Sequence, residues 1–101
     1  MVTNVATTKE TRVILDNQRA KIYEVGLTPG ETSPMHVHGE DYIVYAFNDA
    51  RLRLTYLDGR TTDIDAKAGT AYFRRAETHT VQNIGDADTK LMVFQFNEWG
   101  P

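Results

Sequence analysis

Apolar and polar residues alternate along most of this chain in short runs, with breaks where turn-forming residues cluster. In "RLRLTYL" the residues Leu52, Leu54 and Tyr56 alternate with Arg51, Arg53 and Thr55, the period-two pattern of a strand with one buried face. "TRVILD" and "AKIYEVGL" are rich in β-branched and aromatic residues, and Asn17-Gln18 between them predicts a hairpin turn. "YIVYAF" is set off from "RLRLTYL" by Asn48-Asp49, a pair that tolerates turn geometry. Asp58-Gly59, the strongest two-residue hairpin signal in the chain, leads into "RTTDID". "TAYFR", "HTVQN" and "KLMVFQF" complete the series, with turns expected at Ala76-Glu77 and at "GDAD". In the last of these runs Met92, Phe94 and Phe96 form one apolar face, expected to be core or pocket wall. Tyr45, Tyr72 and Phe73 suit either a cavity wall or a subunit contact.

About eight or nine short strands with no helical periodicity predict an all-β sandwich or barrel. The 101 residues have room for one domain with one core. The polar, Thr-rich residues 1–10 are expected to be a flexible N-terminal segment, residues 11–97 the barrel, and residues 98–101 a tail.

Composition narrows the chemistry. The net charge is −3 with both signs interspersed, so no basic stripe suits a phosphate backbone, and nucleic acid is not an expected partner. "MVTNVATTKE" has neither a positive n-region nor an apolar h-region, and no apolar run approaches the roughly 18 residues of a membrane span, so a cytoplasmic protein without membrane contact is expected. There is no cysteine, which removes disulfides, thiolate nucleophiles and cysteine metal sites. Any metal must be held by histidine, carboxylate or tyrosine.

The chain has three histidines, and "MHVHGEDY" puts two of them one residue apart. On a strand, His36 and His38 point to the same face, and such a pair can hold a metal. His79, in "ETHTVQN", lies at the start of another strand.

These residues carry a resemblance. "GETSPMHVHGEDYIVYAFND" resembles the first motif of the cupin superfamily, with Gly30, His36 and His38 on their slots, and "AGTAYFRRAETHTVQN" resembles the second, with His79 and Asn83 matching. The departures are Tyr42 in the glutamate slot, Asp49 in the closing glycine slot, Arg74 and Ala76 in the second motif's proline and glycine slots, and Gly69 one place from its own. "HGEDYIVY" is similar to a branch of small bacterial cupins with an Asp-Tyr dipeptide near the glutamate position, some labelled β-alanine degradation proteins.

The resemblance implies a single-domain double-stranded β-helix, a jelly-roll barrel, in which His36, His38 and His79 converge at the mouth on one divalent Fe, Mn, Ni, Cu or Zn. If Tyr42 replaces the carboxylate, the site keeps its full positive charge, favours anionic substrates and is similar to the three-histidine iron centres of thiol dioxygenase cupins. Tyr42 is then the candidate catalytic group, with Asp41, Glu40 or Tyr42 itself the candidate fourth ligand. Arg74 could clamp a substrate carboxylate, a solvated turn pair with Arg75 being the alternative, and Asn83, expected to face inward, is a further substrate-side candidate whose favoured role is structural hydrogen bonding. A dioxygenase-like metalloenzyme acting on a small anionic metabolite leads; a cupin isomerase or decarboxylase, and a non-catalytic binding or sensing module, are the alternatives. Small cupins commonly dimerise, which implies a homodimer here.

Overall fold

The computed structural model describes residues 11–96. The segment 1–10 and the tail 98–101, both singled out above, lie outside the described residues. Nine strands account for all the regular structure among the described residues: β1 (Arg12–Asp16), β2 (Ala20–Leu27), β3 (His36–His38), β4 (Tyr42–Ala46), β5 (Ala50–Tyr56), β6 (Thr61–Ala66), β7 (Ala71–Arg74), β8 (Glu77–Asn83) and β9 (Thr89–Phe96). They form two antiparallel sheets, of order β1-β2-β9-β4-β7 and β3-β8-β5-β6. No helix of the described residues is long and apolar enough to cross a membrane.

Local chemistry sets the corners. Asn17 Oδ1 accepts from the backbone N–H of Arg19 and Ala20 and closes the β1–β2 hairpin. Gly59, at φ 87°, takes the left-handed position of the β5–β6 turn, which a side chain would strain. The Asn48-Asp49 turn carries the chain from one sheet to the other, since β4 and β5 are in different sheets. Asn48 ties that corner to β9, donating to Asp88 O and accepting from Lys90 N.

The inner faces meet in a core built from Tyr23, Val25 and Leu27 on β2, Leu52 and Leu54 on β5, and Leu91 and Val93 on β9, all buried. Each fully buried Leu or Val contributes roughly 1.5–3 kcal/mol of hydrophobic stabilisation. The alternation read in β5 holds: its leucines face in, while Arg51 and Arg53 face out and pair with Asp65 and Asp63 of β6.

On β9 the expectation is corrected. Leu91, Val93 and Gln95 face the core, whereas Met92 and Phe94 are half-buried on the outer face and Phe96 is exposed there. The strand is apolar on both faces, so bulk misleads about which set turns in; the register with β2 and β4 decides it. The outer set joins a row across all five strands of the larger sheet, Leu15–Ile22–Phe94–Ile43–Phe73. Tyr72 faces the interior and Phe73, its neighbour in sequence, faces out, 62% exposed.

Candidate metal centre

The site is assembled by one short ladder. β3 pairs antiparallel with β8 so that His36 is directly opposite His79 and His38 opposite Glu77. Alternation then puts all four side chains on the inner face. The three imidazoles are buried, at 4%, 3% and 1% exposure, with ring centroids 4.6–5.0 Å apart. Their ligand atoms all lie within 4.8 Å of one another.

Hydrogen bonding prepares these rings to act as ligands. His36 Nδ1–H donates to Pro34 O at 2.8 Å, which leaves the Nε2 lone pair free. His38 Nδ1 and both ring nitrogens of His79 are buried without a hydrogen-bond partner. Burial holds the His36 imidazole below its ordinary pKa, and burial together with its two histidine neighbours lowers His38 to about 3. Neutral imidazoles are the form that binds metal. Buried ring nitrogens left unpaired are costly, and a divalent transition metal would satisfy one nitrogen of each ring. The donor set therefore fits an ion, and His36, His38 and His79 are the residues that would hold it.

Glu77 organises the surroundings, and the sequence reading missed it. Tyr42, stacked on His38 at 3.9 Å, donates its hydroxyl to Glu77 Oε2 at 2.5 Å. The same oxygen stands 2.7 Å from His79 Nδ1, at ion-pair distance but off the line of an aligned hydrogen bond. Arg74 Nη2 donates to Glu77 Oε1 at 3.0 Å and to Tyr56 Oη at 2.9 Å. Burial alone would raise the Glu77 carboxyl, but His79, Tyr42 and Arg74 outweigh it and bring it to about 2. Burial likewise opposes the charge on Arg74, and Glu77 more than restores it. Burial first, then Glu77, pushes the Tyr42 phenol well above its usual range, so Tyr42 keeps its proton. Ala76-Glu77 reads as a turn in sequence, yet Glu77 opens β8. The available signal was parity, because Glu77 is two residues before His79.

The other candidates are dispersed. Asp41 Oδ1 accepts from Ala76 N at 3.0 Å, tying the loop before β4 to the loop before β8. Neither Asp41 nor the half-buried Glu40 falls in the metal-ligating cluster. Arg74 is on the inner face of β7, level with Tyr42. Asn83 is fully buried at the far end of β8, donating to Leu27 O and Ala87 O and accepting from Gly85 N. The three histidines, Tyr42 and Arg74 line part of a cavity of about 70 Å³ whose other walls are largely apolar.

A two-sheet β-helix with a His-x-His strand laddered to a third histidine defines a cupin with a candidate metal site, and the chain belongs to the cupin superfamily. Within it the chain is similar to the β-alanine degradation protein BauB of Pseudomonas aeruginosa, 33% identical over 82 residues that cover 81% of this chain and 83% of that protein. Among solved structures, a cupin domain from Bordetella pertussis Tohama I matches with a TM-score of 0.80 at 25% identity, covering 97% of this chain and 99% of that one. The polyketide cyclase RemF from Streptomyces resistomycificus matches with a TM-score of 0.62 at 26% identity, covering 92% of this chain and 69% of that one. No protein-family model matches the sequence.

Proposed function

We propose that this chain is a cytoplasmic mononuclear metalloenzyme of dioxygenase-like chemistry acting on a small anionic metabolite. The observation that carries the reading is the convergence of three buried imidazoles whose ligand atoms all lie within 4.8 Å of one another. A bound divalent metal supplies Lewis acidity and, if it is redox-active, oxygen chemistry. The preference for an anion follows from charge: Glu77 and Arg74 neutralise each other and the imidazoles are neutral, so the ion's two positive charges stand uncancelled.

In this reading the chain's own residues bind the ion, orient its ligands and hold a hydrogen-bond donor beside it. Glu77 fixes the His79 ring and, as a non-ligand, takes the place in the network that a ligating carboxylate would occupy. The Tyr42 hydroxyl, stacked beside His38 and bonded to Glu77, keeps its proton and serves as a hydrogen-bond donor at the site. Arg74 Nε, buried without a partner, is a donor available to a substrate carboxylate. RemF, a polyketide cyclase, offers a precedent for catalysis on a similar barrel, though not for oxygen chemistry.

The test is elemental analysis of protein purified without chelator or a nickel column, followed by anaerobic Fe(II) loading and oxygen uptake with small thiols and amino acids. Stoichiometric metal, lost in His36→Ala and His79→Ala, with substrate-dependent uptake supports the reading. Metal without turnover, but with thermal stabilisation by a small ligand, would favour a binding module instead, and metal-free protein would overturn both.

The proposed macromolecular partner is a second copy of the chain. The apolar row on the larger sheet spans all five strands, with Phe73 and Leu15 exposed in it and Phe96 exposed beside it. It is bordered by the Arg12–Glu24–Lys90 ion pairs, the apolar-centre and polar-rim pattern of a subunit contact.

A further inference from the structure

The metal centre accounts for the histidines, but the cavity they line extends past them among residues with their own chemistry. Away from the histidines, Tyr42 and Arg74, its walls are largely apolar side chains, among them Val25, Leu27, Leu54, Leu91 and Val93. Tyr23 brings a polar group into this apolar part. Tyr23 is 1% exposed, and its hydroxyl has no hydrogen-bond partner. Burial pushes its pKa up, so the group remains an O–H donor. Register puts Tyr23 opposite Val93, the next inward position on β9 after Gln95, and Gln95 is level with Tyr42 at the metal centre. Tyr23 therefore belongs to the inward layer next to that of the metal centre.

A hydroxyl buried in an apolar wall without a partner is destabilising, and native structures seldom retain one unless something else satisfies it. The space is sufficient for more than a single water: a water needs roughly 10–15 Å³ of such volume, against about 70 Å³ here. We propose that the cavity takes a short two-ended anion, with its charged head at the metal centre and Arg74, an aliphatic body between the apolar walls, and a terminal polar atom accepting a hydrogen bond from Tyr23 Oη. The head contact rests on the metalloenzyme reading. The tail contact rests on the cavity and Tyr23 alone.

The test compares unbranched acids from propanoate to hexanoate with their ω-hydroxy counterparts, titrated by calorimetry into Zn(II)-loaded protein and into metal-free protein. The wild type and Tyr23→Phe are measured side by side. At the matching length, the affinity ratio of hydroxy acid to parent acid is expected to fall by about fivefold or more in Tyr23→Phe, the loss of one hydrogen bond, while the parent acid binds as before. An unchanged ratio at every length, or no binding of any of these acids at millimolar concentration, overturns the proposal. Failure of Tyr23→Phe to fold overturns it too, because the hydroxyl would then have a structural partner. If only the metal reading fails, affinities are the same with and without Zn(II) while the ratio still falls.

Discussion

Glu77 stands at the centre of the site's electrostatics without belonging to the metal-ligating cluster. Removing a carboxylate that orients a ligating imidazole typically costs about 10–100-fold in metal affinity. Glu77→Ala is therefore expected to weaken Zn(II) or Fe(II) binding by that order in a chelator competition, and Glu77→Gln, which keeps an acceptor near His79 Nδ1, to weaken it less. Acid should unfold the metal-free protein from the same place. Folding lowers His36 and His38 from 6.5, His38 to about 3, so the unfolded chain binds protons that the folded one refuses. Their stabilising contribution is complete above pH 6.5 and is lost as pH falls toward those folded values. Glu77, lowered from 4.5 to about 2, adds a loss in the same direction over that lower range. Unfolding free energies from urea titrations between pH 7 and pH 4 should decline throughout, by a few kcal/mol in total; a flat profile would contradict the burial of these rings. The three histidines were legible because a two-residue spacing carries meaning on a strand. Glu77 was not, since the strand boundary fell between it and its turn neighbour and boundaries are the weakest part of any pattern reading.

Among the elements, strands were legible wherever one face met solvent. β5, with arginines out and leucines in, can be read in only one way. β9 cannot, because it runs through the interior of a five-stranded sheet with apolar residues on both faces, and only pairing with β2 and β4 reveals which set turns in. Asn83 illustrates a similar limit. Its match to the cupin motif and its inward parity fit either a ligand contact or a structural knot, and its bonds to Leu27, Ala87 and Gly85 make the knot. Asn83→Ala should cost about 2–4 kcal/mol in chemical denaturation through the buried backbone groups it strands, with metal stoichiometry unchanged. At the β5–β6 turn, Gly59→Ala forces a side chain into φ 87°. A loss of about 1–2 kcal/mol is expected there, read as a lower melting temperature.

For the molecule as a whole, the consequence of the β9 register is a sheet with two apolar faces, one enclosed by the barrel and the other presented outward. If a second copy covers that outer face, Phe73→Glu, at its most exposed position, should shift the protein to monomer in light scattering while sparing metal content. The opposite side of the barrel is built differently. β6 borders the smaller sheet, and its outward carboxylates Asp63 and Asp65 are each engaged by an arginine of β5, Asp63 in a two-pronged contact. A foreign strand adding to that border would have to strip water from a fringe of opposite charges before gaining one backbone bond. The molecule thus has one flank suited to a mate and one that discourages fibrils.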